Sequence, residues 1–190
     1  MTSEKQDSLN AELVSGDKDR ICAALSTLND ILRAMDADMS SVQPLTVLLG
    51  DEELEIRKAA TWSIAKLAQN KVIHAAPLER LILLLADPDE EVRENVAWAL
   101  GELAGVGVGT MEAVEPLNRS LEDANVQVRG MAAWALGRLA ERMQLARSSS
   151  ISSLEKLLLD KSLFVSKGAA YSLERVTKTL NHSSNGRAKS

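Results

Sequence analysis

The chain has 190 residues and carries 22 Lys and Arg against 27 Asp and Glu, a formal net charge of −5. Its 25 Ala and 29 Leu, set against one Phe, one Tyr and three Trp, exclude an all-β sandwich or barrel, because strands draw on β-branched and aromatic residues. At 45% hydrophobic and 26% charged it has enough apolar surface for a core, and without a run of 18 apolar residues it offers no membrane span. The length fits one domain and argues against an enzyme with separate substrate and cofactor lobes.

Taken in chain order, MTSEKQDSLNAELVSGDKD has neither a basic n-region nor an apolar h-region, and the single Cys22 cannot form an internal disulfide. A cytoplasmic location is expected. From about residue 40 the chain repeats itself. DEELEIRKAATWSIAKLA from Asp51, DPDEEVRENVAWALGELA from Asp87, DANVQVRGMAAWALGRLA from Asp123 and DKSLFVSKGAAYSLERVT from Asp160 align without a gap, 36, 36 and 37 residues apart. Trp62, Trp98, Trp134 and Tyr171 keep the same steps, as do Leu49, Leu85, Leu121 and Leu158. A degenerate copy over about 8–36 precedes them, with Leu13, Ala24, Leu28 and Ile31 in register but no Asp or Trp, as expected of a terminal cap.

Each repeat predicts two helices, giving pairs over about 40–70, 75–105, 111–143 and 149–180. The first helix is short, as in Val42 to Leu49, Leu78 to Leu85 and Val114 to Leu121. The Asp that follows is expected to N-cap the second helix. In Asp87-Pro88-Asp89-Glu90-Glu91 the cap is followed by a proline whose missing N–H does no harm, then by acids in the first turn. Val92, Val96, Ala99, Leu100 and Leu103 lie within roughly 100° of one another at 3.6 residues per turn, which predicts one buried face. The closing HSSNGRAKS, 182–190, is polar and reads as a disordered tail.

The pattern Asp87…Val92-Arg93…Ala97…Ala99-Leu100-Gly101…Leu103, with its counterparts over about residues 10 to 180, resembles HEAT-like repeats in the short form found in phycobilin lyases and in many small bacterial and archaeal proteins. The resemblance implies an all-α, right-handed solenoid of about five helical hairpins. It also implies a structural ladder between adjacent repeats, formed by Asp51 with Arg57, Asp87 with Arg93 and Asp123 with Arg129, which recur at a spacing of six. Ser166 replaces the Arg in the last repeat, where no further rung is needed.

Chemistry is sparse. Deoxyhypusine hydroxylases of this group hold a di-iron site on His-Glu pairs, but His74 is followed by Ala75 and His182 by Ser183, so those ligands are missing. Cys22 lies among Ile21, Ala23 and Ala24 and reads as core. Gly101 to Gly109 is glycine-rich but closes a helix, which is not the setting of a phosphate loop. No cofactor or metal is implied.

The aromatic positions point to a surface. Trp98 falls roughly 120° from Val92, outside the buried stripe, with Glu91, Glu94 and Glu102 nearby. In a stacked solenoid Trp62, Trp98, Trp134 and Tyr171 would form a row on the concave face, available to a partner or filling the groove between helices. Beside Trp134 and Tyr171 the charges become Arg138, Lys167 and Arg175. Residues 1 to 110 sum to −9 and 111 to 190 to +4, so a partner peptide would present its basic end towards Trp98 and its acidic end towards Tyr171. The expected role is a non-enzymatic protein-binding scaffold or adaptor. A bilin lyase or chromophore-handling subunit, and a nucleic-acid-binding protein, are the alternatives the resemblance leaves open.

Overall fold

The computed structural model describes residues 3–187, and every regular element among them is helical. Ten α-helices follow in chain order: α1 (Ser3–Leu13), α2 (Lys18–Arg33), α3 (Val42–Leu48), α4 (Leu54–Gln69), α5 (Leu78–Leu84), α6 (Glu90–Gly105), α7 (Val114–Ser120), α8 (Val126–Met143), α9 (Ser149–Leu157) and α10 (Leu163–Arg187). Short 3-10 turns, Met39–Ser41 and Met111–Ala113, lead into α3 and α7. The chain divides into two compact units, Met1–Ala99 and Leu100–Ser190. No described helix is long and apolar enough to cross a membrane.

In the first unit α1 packs on α2 and α3, while α4 packs on α2 and α3, so first and second helices form two layers around one core. Leu13, Leu28 and Leu32 from the first hairpin meet Leu45, Leu49, Ile56, Ile64 and Leu67 from the second, all fully buried. Each such side chain contributes about 1.5–3 kcal/mol by leaving water. Ile31, expected in this core, is only half-buried, and Leu32 takes its place one position on. Polar ties close the N-terminal edge: Gln6 Nε2 donates to Ser41 Oγ (2.7 Å), and Ser41 Oγ donates to Asn10 Oδ1 (2.7 Å).

The second unit repeats the plan, with α7 on α8 and α9, and α10 on α8 and α9. Leu103, Leu117, Leu121, Val128, Leu136, Leu139, Leu154, Val165 and Val176 fill its core. The stripe Val92, Val96, Ala99, Leu100 and Leu103 of α6 is buried, as the periodicity requires.

The helix starts differ from expectation. Asp51, Asp87, Asp123 and Asp160 each accept the backbone N–H two residues on, at 2.8–2.9 Å, from Glu53, Asp89, Asn125 and Ser162. They shape the turn between helices instead of capping the second one. The caps come two residues later: Asp89 Oδ1 accepts from the N–H groups of Glu91 and Val92, and Asn125 Oδ1 from those of Gln127 and Val128. A short carboxylate reaches its own i+2 amide as readily as a helix N-terminus, and the added turn places the helix start where the second polar residue stands. Helix α10 also runs on to Arg187, past the start of the expected tail at 182. Extending an existing helix adds one hydrogen bond per residue ordered, and no proline interrupts it. Residues 188–190 of that tail lie outside the described residues.

Candidate functional site

The residues singled out by sequence fall into two sets, one at the turns between first and second helices and one along the second helices. At the turns, Arg57 Nη1 donates to the carbonyls of Asp51 and Glu52, both at 2.9 Å, while its Nε meets Asp87 Oδ2 at 3.0 Å. Arg129 repeats this with the carbonyls of Asp123 and Ala124 and with Asp160 Oδ2 at 2.9 Å. Arg93 likewise donates to the carbonyls of Asp87 and Pro88. The spacing of six therefore marks a bond to the backbone of the Asp. The carboxylate that Arg57 or Arg129 pairs with belongs to the next repeat, 30 or 31 residues on. The pairs are well shielded, with Arg57 and Asp87 side chains 15% and 5% exposed. The Arg129 guanidinium, aided by the Ser162 N–H, holds the Asp160 carboxyl below its ordinary value.

Along the second helices, Trp62, Trp98, Trp134 and Tyr171 are all half-buried. In the second unit their seats are visible. A Cβ at Gly101 would collide with the Trp134 ring, and one at Gly105 with the Arg138 guanidinium. A Cβ at Gly137 would lie 2.6 Å from a Tyr171 ring carbon, and one at Gly130 would collide with the Phe164 ring. Rings of one helix thus rest on the glycines of the helix before it. A cation stacks on each of three rings: Arg138 over Trp134 at 5.5 Å, Arg175 over Tyr171 at 3.6 Å, and Arg33 and Lys66 over Trp62 at 5.2 and 5.8 Å. Lys66, Arg138 and Arg175 all stand four residues after the ring, one turn along the same face.

Charges around these rings are arranged differently in each unit. In the second, Glu141 accepts from Tyr171 Oη at 3.0 Å and pairs with Arg175 at 3.1 Å. Burial alone would push the Glu141 carboxyl up, but those two donors outweigh it and hold it below its ordinary value. Burial and the bond to Glu141 raise the Tyr171 phenol. Lys167 is exposed. In the first unit Lys58 pairs with Glu91 at 3.2 Å and Asp89 at 3.5 Å, and its pKa is raised chiefly by Glu91. Glu94, half-buried, has its carboxyl raised by burial and by the nearby Glu91. Glu102 is half-buried on α6.

Sequence reading missed Glu141, Lys58, Arg33, Lys66 and Phe164. The recurring cation four residues after the ring was a usable signal for Lys66; Glu141, Lys58, Arg33 and Phe164 depend on neighbours about 30 residues away. Among the described residues no group of three or more His, Cys, Asp or Glu could hold a metal ion.

The comparisons with known proteins agree with this architecture. Residues 78–174 match the family model of HEAT repeats, and residues 22–111 match that of non-SMC mitotic condensation complex subunit 1. No curated protein matches the chain. Among solved structures the chain is similar to a designed armadillo repeat protein in complex with the peptide (KR)4, at 28% identity over 92% of this chain and 86% of that one, with a TM-score of 0.74. It is similar to computationally designed armadillo repeat proteins for modular peptide recognition, at 28% identity over 88% and 80% of the two chains, with a TM-score of 0.72. Cex1p, 17% identical with a TM-score of 0.61 and covered over only 37% of its length, shares the fold alone. With the repeat model spanning more than half of its residues, and with helix pairs joined by a recurrent Asp turn, the chain belongs to the HEAT-repeat family.

Proposed function

We propose that the chain is a non-enzymatic protein-binding scaffold, and that the surface of its second helices takes extended or helical segments of a partner. The observation that carries this reading is Arg138. Its guanidinium is stacked on Trp134, seated over Gly105 and bonded to the Gly101 carbonyl at 3.5 Å, and its charge helps to lower the Glu141 carboxyl. A cation and a ring held in place before binding lose little freedom when a partner arrives, so their contacts convert efficiently into affinity. The second unit thereby favours an acidic side chain flanked by apolar ones. The first unit, with 10 Lys and Arg against 18 Asp and Glu, presents Glu91 and Glu94 and suits a basic segment. Two further facts support the reading: HEAT-like solenoids are typically scaffolds, and one similar structure is bound to a basic peptide.

The test is titration of two labelled probes, (KR)4 and a peptide alternating Glu with Leu, against the folded parent and variants. Glu94→Lys should weaken (KR)4 and leave the acidic probe unchanged. Trp134→Ala and Arg138→Ala should each cost the acidic probe about 2 kcal/mol, as expected of central anchors. Unchanged binding of both probes by folded variants would refute the surface.

A further inference from the structure

Building on the scaffold reading above, we infer that Phe164 is a second apolar anchor of the second unit, and that this unit takes an amphipathic partner helix lying antiparallel to α10. One position differs across the repeats: Glu55, Glu91, Gln127 and Phe164 stand 36, 36 and 37 residues apart. The first three are polar and exposed, with the Glu55 and Glu91 side chains 81% and 59% open to solvent. Each belongs to a helix that a further repeat follows in the chain, so this position faces solvent whether or not the chain continues. Phe164 keeps that exposure, at 42%, but presents a ring.

The ring is also held. In the first unit the corresponding joint is an ion pair, Glu91 with Lys58 at 3.2 Å. In the second, Gly130 stands where Lys58 does, and a Cβ there would collide with the Phe164 ring. An ion pair closes this joint without exposing apolar area, whereas the ring closes it and leaves part of itself in water. Tyr171 lies seven residues on, which is two helical turns and about 10.5 Å along the same face. Its ring is seated over Gly137 and its Oη is tied to Glu141. Two rings fixed in advance at this separation set the shape of what binds. Side chains on one face of an extended strand recur at about 6.7 and 13 Å and miss it. A helix offers residues i and i+7 at about 10.5 Å, so a partner helix aligned with α10 meets both rings.

Charge sets the direction. Around the C-terminal turns of α8, and beyond Tyr171 on α10, Arg138, Arg142, Arg175 and Lys178 outnumber Glu141 and Glu174. Arg175 pairs with those two carboxylates at 3.1 and 3.4 Å, which leaves the cations in surplus. Acids are most favourable in the first turn of a helix. An acidic first turn meets these cations when the partner runs antiparallel to α10, its N-terminus beside Arg175 and its C-terminal half over Phe164. From its N-terminus the bound segment thus presents an acidic residue, an apolar one a turn later at Tyr171, and a second apolar one seven further on at Phe164.

The experiment is titration of the full chain with a labelled helical peptide of about 18 residues, built on alanine and glutamine, carrying Glu, Leu four residues on and a second Leu seven further on. A control peptide has the second Leu two positions later, about 200° around its helix. The parent should bind the first peptide at least about tenfold tighter than the control. Phe164→Gln, which restores the residue type of Gln127, should remove that preference and leave the Kd of the control unchanged, whereas Phe164→Leu should retain it. Moving the Glu to the turn after the second Leu should raise Kd about threefold or more. Circular dichroism checks that each variant remains helical. A folded Phe164→Gln variant that keeps the preference would overturn the inference and leave the scaffold reading intact, as would a parent that binds the alternating Glu and Leu probe yet treats the two helical peptides alike. Equal or tighter binding of the peptide with the moved Glu would overturn the antiparallel docking. Failure of the parent to bind any probe, (KR)4 included, would refute both readings.

Discussion

The two units of this chain solve one packing problem in different ways. In the second, neighbouring second helices are joined by rings and guanidinium groups laid on Gly101, Gly105, Gly130 and Gly137. The first has no glycine in α2 or α4 and uses short polar side chains instead: Ser63 Oγ donates to Asn29 Oδ1 at 3.0 Å, and Asn70 Nδ2 donates to the Leu32 carbonyl at 2.9 Å. The charge difference follows the same division, −8 over residues 1–99 (10 against 18) and +3 over residues 100–190 (12 against 9). The same repeat can be stitched by large side chains over small ones or by amide and hydroxyl bonds. The choice decides which unit tolerates a change at a given aligned position.

The largest effect should come from that aligned position itself. Gly101→Val and Gly137→Val should each destabilise the second unit by about 3 kcal/mol, because Trp134 or Tyr171 must leave its seat. In the first unit the counterpart is the buried Ala65, and Ala65→Gly should cost about 1 kcal/mol through helix propensity alone. Urea denaturation measures both. A Gly101→Val protein as stable as the parent would show that the ring-on-glycine contact is incidental.

The Arg–Asp rung is common to both units and should erase the contrast. Arg57→Ala and Arg129→Ala should each lose about 1.5–3 kcal/mol, since each leaves a shielded carboxylate without its charged donor. A large loss from one and none from the other would mean that the rung holds only one unit.

Acid should separate the units again. Asp160 has a lowered carboxyl pKa, so its contribution is complete above its ordinary value of 3.8 and is lost as pH falls through the lowered folded value. Glu94 is shifted upward, so it opposes folding above its ordinary 4.5, and that penalty is relieved as pH falls through the raised folded value. Thermal melts of Asp160→Asn should therefore approach the parent as the pH drops below 3.8, and Glu94→Gln should exceed the parent near neutrality. A gap between Asp160→Asn and the parent that does not change with pH would detach the rung from the titration.

The smallest effect concerns a helix end in the second unit. Gln144 caps α8 with φ at 57°, a left-handed conformation that glycine adopts without strain. Gln144→Gly should add about 0.5–1 kcal/mol in the same denaturation assay. A loss would show that its side-chain bond to the Glu141 carbonyl outweighs the backbone term.

Much of the architecture was legible from the chain alone. The 36–37 residue period, the helix pairs and the buried stripe from Val92 to Leu103 follow from spacing, because an α-helix fixes which residues share a face. Spacing also picked out the Asp and Arg of the ladder and the ring positions. It did not reveal that Asp51 and Asp87 shape turns, that Arg57 pairs 30 residues away, or that α10 continues to Arg187.

Those matters were decided by tertiary structure. The side chain facing Arg57, Trp134 or Tyr171 belongs to a different helix, and the distance between helix axes at that point determines whether a glycine, a carboxylate or a carbonyl is within reach. Gly101 and Gly137 read in sequence as weak helix formers, and only the rings lying on them show why a Cβ is excluded there. The local chain dictates each face; the neighbour across the groove dictates what that face can do.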